Sequence, residues 1–290
     1  MNFNNKLIFN VLLFDLANHF QFSMGNQALS VNPTGTLTTF NLTTNGSNWL
    51  WSVFSLMGLS TLVIGFLSTR AHSRERTLYL FNICILTTTS IAYFCMASNL
   101  GFAPVEVSQR GPGARQFWYV RYIDWIITSP LIISQILLTA GLPINTILST
   151  MFVDVVMIVC GLIGGLVSTE YKWAFFVFAC LSMCLIYSIA YSGMKSSEST
   201  AGKENRRIYM ILIVWIVVFW TPYPIAWALC EGSNVISVTG EMIFYGILDI
   251  FTKPGFAFLI LILHRNLKKE TKRKQNKIAS VQPDIIQVEF

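Results

Sequence analysis

A chain of 290 residues that is 53% hydrophobic and only 12% charged is too apolar for an ordinary soluble domain, in which about a quarter of the residues are charged. Its mean hydropathy is +0.56 and its net charge is +6. These values exclude a soluble globular protein. They predict an integral membrane protein whose short loops leave no room for a second domain.

Seven apolar runs follow one another along the chain. Each is long enough to cross the roughly 30 Å hydrocarbon core of a bilayer as a helix. The fold class is therefore predicted to be all-α, a seven-transmembrane helix bundle. We place the spans at 48–69, 77–99, 117–139, 143–167, 173–193, 207–230 and 240–263.

The segment before the first span is mixed in character. Residues 7–17 are partly apolar, but Asn10 and Asp15 interrupt the run. The stretch is therefore equally compatible with a poor signal sequence and with a short surface helix. Both interpretations stay open.

Lysine and arginine are distributed unevenly, and this distribution predicts the orientation. One set of connecting segments, including the C-terminal segment, holds 14 of them, whereas the opposite set holds 4. We predict an extracellular N-terminal segment (1–47), a seven-helix domain (48–264) and a basic cytoplasmic tail (265–290), in the plasma membrane. The tail is expected to lie near anionic lipid rather than to bind nucleic acid.

The third span carries a row of polar side chains. Arg121, Asp124 and Thr128 are spaced by three and four residues, so they share one helix face. Gln135 lies eleven residues after Asp124, which is almost three whole turns and about 16 Å along the axis. Because such a face would not point toward lipid, the sequence predicts a polar track through the bundle.

Two further spans contribute to the predicted interior. Asp154 in the fourth span has no second charge placed beside it, so we expect a neutral carboxyl group that is hydrogen-bonded to Ser129. The sixth span places Trp220, Tyr223 and Trp227 on one face, beside two prolines that allow the helix to bend.

Two acids and six cysteines carry weaker signals. Glu231 and Glu241 flank the last loop and, taken alone, are typical of solvated surface charges. The cysteines fall in or at the ends of the spans without any metal-ligand spacing, so no metal site is predicted.

Lys253 is the central residue of the seventh span. A cation at the centre of a membrane helix costs roughly 2.5 to 3.5 kcal/mol or more, and Asp249 lies one turn earlier on the same face. The two form either a structural ion pair or a covalent attachment site, because a desolvated lysine readily forms Schiff bases. With Arg121 and Asp124 the charges cancel, which predicts that all four meet in one central cluster.

Three motifs resemble those of microbial (type 1) rhodopsins. They are Arg121-Tyr-Ile-Asp124-Trp125-Ile-Ile-Thr128-Ser-Pro130, Trp220-x-x-Tyr223-Pro224-x-x-Trp227 and Asp249-x-x-x-Lys253. The resemblance covers all seven spans, and segments 115–125 and 172–178 are similar to the fungal, bacteriorhodopsin-like branch of the family.

The resemblance implies a photoreceptor membrane protein that is not an enzyme, with all-trans retinal bound as a protonated Schiff base on Lys253. Asp124 would be the primary counterion and first proton acceptor, Asp249 the second counterion and Arg121 the gate on the exit side. The pocket residues would be Tyr93, Tyr122, Trp125, Met157, Gly161, Phe178, Trp220, Tyr223 and Trp227. A homo-trimer is the family expectation.

The resemblance also changes how several polar residues are interpreted. Glu231 and Glu241 match the family's outside proton-release pair, and Thr128 belongs to the polar track. Gln135 departs from the pattern, because outward pumps usually carry a carboxylic proton donor there and an amide has no proton to give near neutral pH. Reprotonation is therefore predicted to be slow. Thr252 is similar to the residue found in sensory members.

Two functions stay open on this basis. The first is a light-driven outward proton pump with slow Schiff-base reprotonation. The second is a sensory rhodopsin that signals to a cytoplasmic partner through a long-lived deprotonated intermediate. A chloride pump normally lacks the acidic counterion, so Asp124 argues against it.

Overall fold

The computed structural model of the chain describes residues 26–72, 75–107 and 113–281, except for the side chains of 195–201 and 277–281. The undecided stretch 7–17 and the end of the basic tail lie outside the described residues. Within the described part, seven helices are long and apolar enough to cross a membrane. This confirms the predicted all-α seven-helix fold.

The seven helices agree with the predicted spans to within a few residues, except that the sixth begins earlier and the seventh ends later. Both extensions are rich in Lys, Arg and Glu, which end the apolar signal but are good helix formers. The helices are α1 Thr44–Thr69, α2 Arg76–Ala97, α3 Tyr119–Thr139, α4 Ile144–Leu166, α5 Lys172–Met194, α6 Gly202–Gly232 and α7 Val238–Asn276.

The last three helices contain irregular turns. Helical backbone runs through Lys172–Trp220 with a break at Gly202, whose φ of 83° and ψ of 162° suit glycine. α6 then continues as Pro222–Trp227 and ends in a π-helical turn, Ala228–Gly232. α7 comprises Val238–Ile250, a second π-helical turn at Phe251–Gly255, and the first part of a helix that runs over Phe256–Val281.

A small β-hairpin lies between α2 and α3. Strands β1 (Ala103–Glu106) and β2 (Ala114–Phe117) pair antiparallel, and Phe40 bridges to Arg115 of β2. A short helix at Ala28–Val31 precedes α1. We call this end of the bundle the hairpin end and the opposite end, where the basic tail begins, the tail end.

α3, which carries the predicted polar track, is the central helix. In its most apolar stretch 72% of the residues are buried inside the bundle, against 11% in the corresponding stretch of α5. α1 and α7 pack closely, since Trp49 Nε1 donates a hydrogen bond to the Met242 carbonyl oxygen at 3.1 Å. A Cβ at Gly246 would lie 2.5 Å from that indole nitrogen, so this contact requires glycine.

Candidate functional site

Lys253 stands in the π-helical turn of α7. Pro254 follows it and has no backbone N–H, so the regular helical hydrogen bond to Ile250 cannot form. The backbone widens locally over Phe251–Gly255, a feature that is frequent at functional sites. A Cβ at Gly255 would lie 3.1 Å from the Ile250 carbonyl oxygen, so glycine allows the turn to close.

The amine of Lys253 lies between two buried aspartates. The lysine is only 3% exposed, and its Nζ donates a hydrogen bond to Asp249 on the same helix. Oδ2 of Asp124 on α3 lies 3.6 Å from the same nitrogen. Because two carboxylates face one ammonium group, the cluster is net negative when all three groups are ionised.

Three hydroxyl groups from two helices, α2 and α6, orient the two carboxylates. Tyr93 and Tyr223 each donate a hydrogen bond of 2.6 Å to Asp249, and Thr89 donates one of 2.8 Å to Asp124. Thr89 was not among the residues predicted from the sequence. Its spacing of four from Tyr93 places both on one face of α2, which is the signal that could have found it.

An aromatic pocket extends from Lys253 between α3, α4, α5 and α6. Seven of the nine predicted pocket residues line it: Tyr122, Trp125, Met157, Gly161, Trp220, Tyr223 and Trp227. Phe176, Cys180, Met183 and Tyr245 also line it and were missed. Tyr93 is buried nearby and reaches the cluster through its bond to Asp249.

Phe178 is placed differently from its prediction. Its side chain is 54% exposed on the outer surface of α5, whereas Phe176, Cys180 and Met183 point into the bundle. The cause is helical periodicity, because these three residues are spaced by four and three and share a face that excludes position 178. Phe176 takes the predicted place and stacks on Trp227 with ring centroids 5.2 Å apart.

Arg121 does not join the lysine cluster that the charge balance predicted. Its Nη1 lies 2.6 Å from Glu241 Oε1 and 3.5 Å from Glu231 Oε1, and its guanidinium stacks over the Tyr245 ring at 4.1 Å. The prediction of one four-charge cluster was therefore wrong. The error arose because the glutamates were treated as solvated, although both are buried and partner the arginine.

Arg115 of β2 is the second cation at the hairpin end. It is buried and donates hydrogen bonds to Glu241 (2.6 Å), the Ile236 carbonyl oxygen (2.8 Å) and Asn234. Burial alone would lower the pKa of Arg115, but the Glu241 carboxylate outweighs burial and raises that pKa above its ordinary value. Arg115 was predicted only to be one of the four charges on the outer side, because nothing in the sequence shows that the hairpin folds over α7.

Glu231 has a different set of partners from Glu241. Tyr122 and Tyr245 donate hydrogen bonds to its carboxylate at 3.1 and 3.2 Å, and the amine of Lys172 lies 3.5 Å from its backbone oxygen. Ligand atoms of Cys230, Glu231 and Glu241 lie within 4.8 Å of one another. A metal ion there would have to compete with the arginines for the same carboxylates.

The rest of the polar track continues toward the tail end. Thr128 Oγ1 donates to the Asp124 backbone oxygen at 2.9 Å, so the predicted shared face is confirmed. Gln135 Oε1 accepts a hydrogen bond of 2.9 Å from Asn82 on α2. Ser129 and Asp154 lie 2.6 Å apart, as predicted.

Comparison with known proteins identifies the family. Residues 44–267 match the family model described as "Bacteriorhodopsin-like protein". The chain belongs to the bacteriorhodopsin-like family. This rhodopsin is 44% identical over 239 residues to Protein FDD123 of Trametes versicolor, covering 82% of the chain and 83% of the relative. It is 40% identical to Opsin-like protein carO of Fusarium fujikuroi, covering 87% and 85%. Both relatives are fungal, and the chain is a fungal-type microbial rhodopsin.

A solved structure extends the match to the whole fold. The light-driven proton pump rhodopsin of Coccomyxa subellipsoidea is 32% identical, covers 77% of this rhodopsin and 98% of its own chain, and has a TM-score of 0.74. Membership of the family implies a retinal chromophore. The pocket suits a long apolar aldehyde, since its lining is largely aromatic and aliphatic and an amine lies at its end. Gly161 leaves space that a Cβ would take, 3.3 Å from Tyr122 Cε1.

Proposed function

We propose that this rhodopsin is a light-driven outward proton pump that carries all-trans retinal as an imine on Lys253. The observation that carries the proposal is a buried amine that lies between two aspartates at the end of an aromatic pocket. The similarity to a proton-pumping rhodopsin supports it. Bound retinal supplies light absorption and a change of shape, and the chain's own residues hold and move the proton.

Asp124 is the better acceptor for the proton held at Nζ of Lys253. Asp249 already accepts hydrogen bonds from Tyr93, Tyr223 and Lys253, and such charge-assisted bonds stabilise its ionised form. Asp124 accepts a side-chain bond from Thr89 and faces the amine at 3.6 Å. Asp249 therefore serves as the fixed anion.

The exit path runs to the hairpin end, which we propose to be extracellular. Arg121 is the next polar residue of the track after Asp124 in the direction of the hairpin end, and it is paired with Glu241 and Glu231. When Asp124 takes a proton, it loses its negative charge and attracts the Arg121 guanidinium less strongly. This change favours the pairing of Arg121 with Glu241 and Glu231. Glu231 and Glu241 are the proposed release pair.

A direct test is illumination of an unbuffered suspension of cells that express the protein with retinal, while the external pH is recorded. Outward pumping acidifies the medium, and a protonophore abolishes the change. No acidification, or acidification that the protonophore leaves intact, contradicts the pump.

The attachment site has its own test. Lys253→Ala is expected to lose the visible absorption band completely, because no other described lysine lines the pocket. Lys172→Ala is the matched control, since Lys172 is also a buried lysine and its loss should leave the band in place. Colour that survives in Lys253→Ala would overturn the assignment.

Slow reprotonation of Nζ follows from Gln135. The side chain is buried and bonded to Asn82, and an amide cannot supply a proton near neutral pH. We propose that Gln135→Asp speeds the decay of the state in which Nζ has lost its proton, as flash spectroscopy measures. Azide should speed this decay in the natural protein and add little in the variant.

A sensory function is the second candidate, and one contact favours it. Thr252 Oγ1 lies 2.9 Å from Tyr223 Oη, so a hydroxyl next to Lys253 links α7 to α6 through the residue that also binds Asp249. A change at Lys253 could thus be transmitted to the tail end of α6 and to a cytoplasmic partner. A long-lived deprotonated state without any light-driven acidification would support this function instead.

A further inference from the structure

A cavity of about 300 Å³ opens at the tail end between α2, α3 and α7. Its inner wall includes Gln135, and its outer part is lined by Glu75, His264 and Arg265. The cavity therefore joins the position that lacks a proton donor to a group of titratable side chains near the tail.

Gln135 makes the inner wall of the cavity polar, and its hydrogen-bond partner Asn82 is buried beside it. Asn82 donates hydrogen bonds to Gln135 (2.9 Å) and to the Leu78 carbonyl oxygen (2.8 Å). Asn82 Oδ1 is buried and accepts no hydrogen bond from the described residues. Buried acceptors of this kind are normally satisfied by water. The amide pair can thus end a hydrated path, which it orients without donating a proton.

We propose that His264 is the proton-loading residue of this path and takes the place of the missing carboxylic donor. The proposal rests on the pump function proposed above. The other charged or titratable groups that line the described cavity fit the role less well: Arg265 keeps its charge and Tyr79 its proton near neutral pH. Glu75 lies at the mouth in an ion pair with Lys268 at 2.7 Å.

Histidine has the required chemistry. Imidazole is the side chain whose ordinary charge change falls between pH 5 and 8. His264 Nδ1 lies 3.1 Å from the Ile260 carbonyl oxygen, and because a carbonyl can only accept, Nδ1 carries a hydrogen. Nε2 is then the atom that gains and loses a proton.

The transfer balances without any other reactant. The Nε2–H bond of the imidazolium breaks, and its proton passes through water along the cavity past Gln135 to Nζ of Lys253. The neutral imidazole then takes a proton from the solution at the tail end. One proton enters for each one that Asp124 has accepted.

The test measures the decay of the state with deprotonated Nζ by flash spectroscopy between pH 5 and 9, in wild type, His264→Gln and His264→Asn. Wild-type decay should slow as the pH rises through one midpoint. Both variants should decay at least about 100-fold more slowly at pH 6, in line with the loss of a positioned proton donor, and the midpoint should disappear.

Two controls make the assignment specific. His72→Gln removes an exposed histidine that does not line the cavity and should leave the decay unchanged. In a Gln135→Asp background, His264→Gln should slow the decay less than twofold, because the new carboxyl group supplies the proton.

The outcomes separate this proposal from the pump itself. Three results would each overturn the role of His264. The first is a wild-type decay without a midpoint, and the second is an unchanged decay in both His264 variants. The third is loss of the midpoint in Glu75→Gln while the His264 variants keep it. If those results accompany normal light-driven acidification, the pump stands without His264. If illumination moves no protons in wild type, the pump fails, and a decay that still depends on His264 would keep the residue as the proton source.

Discussion

Thr89 illustrates how one hydroxyl group can control a buried carboxylate. It donates a 2.8 Å hydrogen bond to Asp124, which stabilises the ionised form. A hydrogen bond to a charged group contributes about 1.5–3 kcal/mol, equivalent to roughly 1–2 pH units. In Thr89→Val the acid-induced colour change should therefore move to higher pH by about that amount, as a spectroscopic titration measures.

The neighbouring Thr88 provides the control for that prediction. Its hydroxyl is exposed and bonds to the Cys84 carbonyl oxygen, so Thr88→Val should titrate like wild type. An unchanged midpoint in Thr89→Val would show that the hydroxyl does not hold Asp124.

The hydrogen bonds of Ser129 bear on the protonation state of Asp154. Ser129 Oγ lies 2.7 Å from the Trp125 carbonyl oxygen and 2.6 Å from Asp154 Oδ2, but a hydroxyl has one hydrogen to donate. A neutral Asp154 would donate to Ser129 Oγ and leave the one hydroxyl hydrogen for the carbonyl oxygen, so we expect this buried carboxyl group to carry a proton. Infrared spectra of the dark state should show a carboxylic acid band at pH 8 that is lost in Asp154→Asn. A band that survives in the variant would contradict this account.

Residue contacts within one helix were predictable, whereas contacts between helices were only partly so. The spacing of Asp249 and Lys253 predicted their pairing because helix geometry alone decides it. Ser129 and Asp154 were paired correctly because a buried acid needs a partner. The partners of Arg121 and Asp124 depend on helix rotation and tilt, which the order of residues does not specify. Arg121 was therefore assigned to the wrong acids, and Thr89 was missed.

Among the structural elements, the β-hairpin is held against the start of α7 by buried polar contacts. Arg115 of β2 binds Glu241 and the Ile236 carbonyl oxygen, which fastens the hairpin to the start of that helix. Removing one partner of a buried ion pair costs about 3–5 kcal/mol. Arg115→Gln should lower the temperature at which the visible band is lost, on the order of 10 °C, as a thermal bleaching scan measures.

A conservative change at the same position tests the cause. Arg115→Lys keeps the positive charge but loses the planar fork that serves several acceptors at once, so it should melt between wild type and Arg115→Gln. If Arg115→Lys loses the visible band at the same temperature as Arg115→Gln, the geometry of the guanidinium group matters more than its charge at this site. If both variants lose the band at the wild-type temperature, the contacts of Arg115 add no stability.

Among the described residues, the buried ion pairs form two separate groups at different levels of the bundle. Lys253 lies with two aspartates near the centre, and two arginines lie with two glutamates at the hairpin end. Each group contains both signs, which limits the cost of burying ions. A proton that leaves the first group toward the second moves along α3, the most buried helix. In the proposed pump, the direction of proton transport then depends on the orientation of the bundle in the membrane.

That orientation is the prediction that concerns the molecule as a whole. Lysine and arginine are concentrated at the tail end, where Lys268 and Lys274 are exposed, and such an excess favours the cytoplasmic side. The hairpin end should therefore face outward. In intact cells, an antibody should reach an epitope tag at the N-terminus, whereas a tag at the C-terminus should bind only after permeabilisation. The opposite pattern would place Glu231 and Glu241 on the cytoplasmic side, and the same residues would then move protons inward.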